Sequence, residues 1–286
     1  MGYLRLLLPI LSPSLVPPST GEVTRKVLSD LDFYLPFRQH APSLRNARQN
    51  IYTDINQFPG ENGAGFFNVL AFRGVFFGSP FAQSDQYRWF DTLADWQKFR
   101  AEGLEVAKKY GKYGEEENYY VKQNCYGQYQ RDRSTSLLTK YWDQRHLWSE
   151  KFNKSTKPSI TEVYRWLMGP SSLRNIGRLS ALLICGDLIE ADILTMPNAY
   201  EWGELIWILK MGARDAMETL GLISYQASKE QVAEAFLSLD SALQHELKEE
   251  EKKAMSYNVV MLEHTLCKIK RLTSRSFTME TLLQEI

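Results

Sequence analysis

Residues 171–194, "SSLRNIGRLSALLICGDLIEADIL", constrain the fold more than any other stretch. Read as a helix restarting on Ser171 or Ser172, the segment is apolar almost all round, with a possible break at Gly186. Such a helix must be enclosed by other elements, so it marks the centre of a core. The segments around it have the right pattern to enclose it. "KPSITEVYRWLM" is a helical run that stops at Gly169-Pro170, and Asn198 is placed to cap "AYEWGELIWILKMGARDAMETLGL", which Gly221 stops. Ser228 with Gln231 three residues later makes a capping box opening "KEQVAEAFLSLDSALQHEL". The helix after it begins "KEEEKKAM" and ends "CKIKRLTSR", acidic first and basic last as the helix dipole prefers, and "TMETLLQEI" adds one more. Upstream, Ser84 reads as the N-cap of a helix carrying Trp89, Leu93, Trp96, Phe99 and Leu104 and ending at "YGKYG". Together these patterns predict a mostly α chain: an irregular multi-helix globular body.

The first eighty residues differ in character. Most prolines lie between residues 9 and 42, and "QFPGENGAGFFNVLAFRGVFFGSPF" reads as a loop and then a buried helix over about Gly65 to Phe77, with a short strand pair as the alternative. Residues 1–83 are therefore expected as a proline-rich, partly irregular segment packed on the body. Its first residues, "MGYLRLLLPIL", lack a small-x-small cleavage pattern and read as an apolar strap rather than a secretory signal. The expected organisation is 1–83, then aromatic- and basic-rich helices over 84–154, then a helical part over 159–286. A boundary falls in "KFNKSTKPS", unless 84–286 is one continuous domain.

Composition narrows the function classes. Lys+Arg 34 against Asp+Glu 34 argues against wrapping nucleic acid by charge alone. Cys125, Cys185 and Cys267 stand in no paired spacing and read as buried thiols of a reducing compartment. No apolar run reaches the roughly 18 to 20 residues of a membrane span, so the expected location is intracellular, in cytoplasm or nucleus.

Catalytic signatures are scarce. The four histidines form no HExxH or Glu-x-x-His pattern, and "GENGAG" fits neither phosphate-loop signature. Asp143-x-x-His146 and His264-x-x-Cys267 can each share a helix face, but a structural histidine explains both. No cofactor and no metal is expected. Asp187, Glu190, Asp192, Glu201 and Glu204 crowd one stretch with no Lys or Arg among them. They define the alternative reading, an all-α enzyme holding a divalent metal on carboxylates.

Residues 118–158 carry eight basic side chains against three acidic ones, interleaved with eight aromatics. Cations that track phosphates beside rings that stack on bases form a recipe for binding single strands. The candidate cations are Lys122, Arg131, Arg133, Lys140, Arg145 and Lys151, with Tyr120, Tyr129 and Trp142 as stacking candidates. On one continuous wheel Tyr119, Tyr126, Leu137, Tyr141 and Trp148 fall within about 60°, a core stripe that leaves only the cationic flank for binding. That flank can equally face the chain's own acidic helices. The leading expectation is thus a non-enzymatic interaction or scaffold protein that binds a protein partner or itself, with single-stranded nucleic acid as a subsidiary ligand.

Overall fold

A computed structural model of the chain describes residues 1–11, 21–52, 58–60, 62–110, 116–122, 133–152, 156–169, 173 and 176–285, with Arg133 and Ser134 described by backbone alone. Among these residues every regular element is helical. The chain divides into two compact units, residues 42–196 and residues 1–41 together with 197–286. The boundary expected at 151–159 thus lies inside the first unit, and residues 1–83 are shared between the two. The reason is that the N-terminal helices pack with the C-terminal ones, as described below.

In the 42–196 unit the Ala64–Ala71 helix continues into a π-helical turn, Phe72–Phe76, which matches the helix expected over 65–77. Thirteen residues in a row, 64–76, are buried there. The turn brings Arg73 to Asp187 on the Arg178–Glu190 helix, and the pair is forked, with Nε donating to Oδ2 and Nη2 to Oδ1. Both side chains are fully enclosed. The guanidinium also lies 4.4 Å from the Phe77 ring centre. A forked pair of this kind compensates two charges that burial would otherwise penalise by several kcal/mol each.

Arg178–Glu190 packs on Ile160–Met168, and Gly186 sits inside it without a break. It opens at Gly177, and the start expected at Ser171 or Ser172 lies outside the described residues. The helix expected from Ser84 instead begins after Thr92, whose hydroxyl accepts from the Asp95 amide at 3.0 Å, because Ser84 closes the short Pro80–Gln83 helix. Trp89 therefore lies outside the helix, while Trp96 is buried within it among Phe76, Phe81, Phe90 and Tyr120.

In the other unit, Ala199–Leu209 crosses Lys229–Glu246 closely: a Cβ at Gly203 would lie 2.6 Å from the Ala233 Cα. The expected capping boxes at Asn198 and Ser228 are both formed. Two long helices are shorter than their periodicity suggested. Lys210 in the left-handed region and Gly212 at φ 64° split off Ala213–Thr219, and Ser256 at φ 54° separates Glu249–Met255 from Val259–Arg275. Asn258 caps the last of these by accepting from the Met261 amide.

The apolar strap of residues 1–11 buries Tyr3, Leu4, Leu7 and Ile10. Arg5 fixes it, donating to Glu251 at 2.7 and 3.0 Å and to the Glu246 carbonyl at 3.1 Å. Glu285, on the Met279–Glu285 helix, accepts from the amides of Glu22 and Val23 and so caps Glu22–Ser29. These contacts join the chain's two ends into one unit.

Candidate interaction surface

The six cations singled out in the sequence do not share a helix. Lys122 follows the short Glu117–Tyr120 helix, Arg133 opens Arg133–Asp143, and Lys151 closes Leu147–Lys151 after a turn at 144–146. The single wheel that would align Lys122, Arg133, Lys140 and Lys151 is therefore interrupted. Lys140 and Lys151 are exposed, whereas Lys122 is half-buried with its stem against Gly78. Arg145 is engaged within the chain. It donates to the Asn62 carbonyl at 3.0 Å and the Trp142 carbonyl at 2.7 Å, and it lies 4.0 Å from the Trp142 ring centre. Arg131 and the Arg133 side chain fall outside the described residues, as do Tyr126, Tyr129 and Cys125.

The aromatic stripe is a core face where it is described: Tyr119, Leu137, Tyr141 and Trp148 are all buried. Tyr120, held in reserve as a stacking residue, is buried too, and Trp142 is half-buried against Phe67.

The acidic residues belong to both units and hold several separate posts. Asp187 pairs with Arg73, and Asp192 meets Lys157 at 2.5 Å. Glu201 completes the Asn198 capping box, and Glu204 meets Lys229 at 2.7 Å. Among the described residues no three His, Cys, Asp or Glu side chains are grouped to hold a metal.

A cluster of perturbed ionisable groups lies instead on Val259–Arg275. Burial pushes the Glu263 carboxyl up and the Lys268 ammonium well down, and Arg271 adds to the shift on Lys268. Lys268 Nζ donates to the carbonyls of Asp32 and Phe33 at 2.9 Å each, and Arg271 donates to the Phe33 carbonyl at 2.7 Å while covering its ring at 4.0 Å. Cys267 donates its thiol to Glu263 at 2.9 Å, and burial followed by that carboxylate raises the thiol well above its usual range. A thiol so raised is a poor nucleophile. Asp32, Glu263 and Lys268 are buried. The cluster pins the Leu31–Tyr34 turn to the helix.

A different feature faces outward. Gly212 is forced to be glycine twice over, by its φ of 64° and because a Cβ would lie 2.7 Å from the Cys267 sulfur. The following helix, Ala213–Thr219, buries Ala213, Ala216 and Met217 and packs on Val259–Arg275. It closes in a Schellman motif: the Gly221 amide bonds the Glu218 carbonyl and the Leu222 amide bonds the Met217 carbonyl, each at 2.9 Å. Beyond it, Arg214 Nη2 donates to the Tyr225 carbonyl at 2.7 Å and Trp207 Nε1 to the Ala227 carbonyl at 3.3 Å.

On this pinned backbone four large apolar side chains point to solvent: Met211 at 46% exposure, Leu220 at 38%, Leu222 at 41% and Tyr225 at 80%. The apolar residue after a Schellman glycine ordinarily folds back on its helix, and Leu222 remains open. Sequence reasoning missed this ridge because Met211 and Leu220 fall inside one long helix stopped at Gly221 when the segment is read by period alone. The available signal was "KMGA", where a glycine interrupts the helical period. No protein-family model, curated protein or solved structure matches this chain.

Proposed function

We propose that this chain is a non-enzymatic interaction protein, a scaffold or adaptor that engages a protein partner through the ridge of Met211, Leu220, Leu222 and Tyr225. The observation that carries the reading is that large apolar side chains are held out on a backbone already fixed by Arg214, Trp207 and the helix-closing bonds. Four large apolar groups exposed within fifteen residues suit a contact surface, and tyrosine is among the residues that anchor such surfaces. A backbone fixed in advance has little entropy left to lose on binding, so more of the contact energy is retained. Nucleic-acid binding takes second place: Lys140 and Lys151 are exposed, but Arg145 is committed within its own unit.

Affinity capture compares the wild type with a Leu222→Asp, Tyr225→Asp variant and with a Lys140→Ala, Lys151→Ala variant. The expected result is that partners held by the wild type are lost from the ridge variant and kept by the lysine variant. Loss in the lysine variant with retention in the ridge variant would overturn the proposal and move the function to the basic edge.

A further inference from the structure

We infer that the ridge docks on a second copy of this chain, in a two-fold arrangement in which Arg214 of each copy faces Glu218 of the other. The inference rests on the interaction reading above and adds the identity of the partner. A two-fold interface brings the same patch from both copies together, so the patch must be complementary to itself. Ala213–Thr219 meets that requirement, because Arg214 and Glu218 carry opposite charges one helical turn apart. When this helix lies antiparallel to its own copy, position 214 of one falls opposite position 218 of the other. Leu220 and Leu222, past the end of one helix, then fall opposite Met211, just before the start of the other.

A second observation is independent of the charge pattern. Arg214 Nε and Glu218 Oε1 are both buried atoms with no hydrogen-bond partner. Roughly 90% or more of buried polar groups are matched, and leaving one unmatched costs on the order of 1–3 kcal/mol. Here an open donor and an open acceptor stand on one short helix beside exposed Leu220, and they do not satisfy each other. Each of the two side chains is only half-buried, so part of each stays open to a facing copy while Arg214 Nη2 keeps the Tyr225 carbonyl. Pairing across a two-fold axis gives both charged heads a partner at once. A heterologous protein would have to supply the two separately. The whole chain adds no barrier, since Lys+Arg 34 and Asp+Glu 34 leave two copies without net repulsion.

Sedimentation of the full chain over a concentration series tests this. A patch of four side chains is small for an interface, so a dissociation constant on the order of 10 µM is expected. Tyr225→Asp should sediment as a monomer at every concentration. Arg214→Glu alone and Glu218→Arg alone should also be monomeric, because each places like charges opposite one another, and an equimolar mixture of the two should dimerise again. Arg214→Glu also removes a bond to the Tyr225 carbonyl, so its fold is checked by thermal melting, and Tyr225→Asp decides the matter if that variant fails to fold. Three results would each overturn the inference: a wild type that stays monomeric, a dimer indifferent to Tyr225→Asp, or folded charge variants that do not associate when mixed. A monomeric wild type that still captures a partner through Leu222 and Tyr225 would overturn the second copy and leave the interaction reading standing. Failure of that capture as well would remove both.

Discussion

The Arg133–Asp143 helix and the ridge at 211–225 divide their polar and apolar groups in opposite ways. On the first, Leu137, Leu138 and Tyr141 turn inward and Lys140 turns to solvent. On the second, Leu220, Leu222 and Tyr225 turn to solvent, while Arg214 reaches back to hold a backbone carbonyl. The first arrangement is complete in itself, since burial of the apolar face repays the order imposed on the helix. The second spends hydrogen bonds on holding apolar groups in water, which lowers stability unless another surface covers them. The difference teaches where substitutions will be felt: at the core face they should cost stability, and at the ridge they should cost association.

The largest effect should come from the deepest contact. Asp187→Ala leaves Arg73 buried without its fork and is expected to lose about 3–5 kcal/mol in urea unfolding. If it cost no more than a surface change, the contrast between core and ridge would collapse. Gly203→Val places new atoms where Ala233 already sits and should cost about 1–3 kcal/mol, measured the same way. Asn198→Ala removes a cap that accepts from the Glu201 amide at 2.9 Å and should cost about 1 kcal/mol.

At the other extreme, Tyr225→Asp and Lys151→Ala should each change stability by no more than about 0.5 kcal/mol, while only the first affects association. A pH effect of small size belongs to the N-terminal strap. The hydrogen bond from Arg5, followed by that from the Lys248 amide, holds Glu251 down from 4.5 to about 2. A depressed carboxyl contributes stability that is present above its ordinary value and lost as pH falls through the depressed one, so the strap should loosen between about 4.5 and about 2. Arg5→Gln should raise the Glu251 midpoint toward 4.5, as read by NMR titration.

Much of the helical framework was legible in the chain. The caps at Asn198 and Ser228, the buried run beginning near Gly65 and the inward stripe of Tyr119, Tyr141 and Trp148 all follow from local chemistry and period. The breaks were not. Lys210 and Ser256 adopt positive φ without being glycine, and nothing in apolar spacing signals such a turn. The π-helical turn at 72–76 and the pairing of Arg73 with Asp187 depend on contacts between residues 114 apart. The ridge stayed hidden for a related reason: apolar side chains at helical spacing look alike whether a neighbour covers them or not. The basic segment misled because one wheel was drawn through residues that three helices divide.

The central claim is that contact with a partner occurs at the ridge. Placing a photoactivatable aromatic residue at position 225, and in a separate preparation at position 151, allows the yield and nature of cross-links to be compared in the same extract. The expected result is a protein adduct, with this chain or another, at position 225 and background yield at position 151. Background yield at 225 with a nucleic-acid adduct at 151 would contradict it.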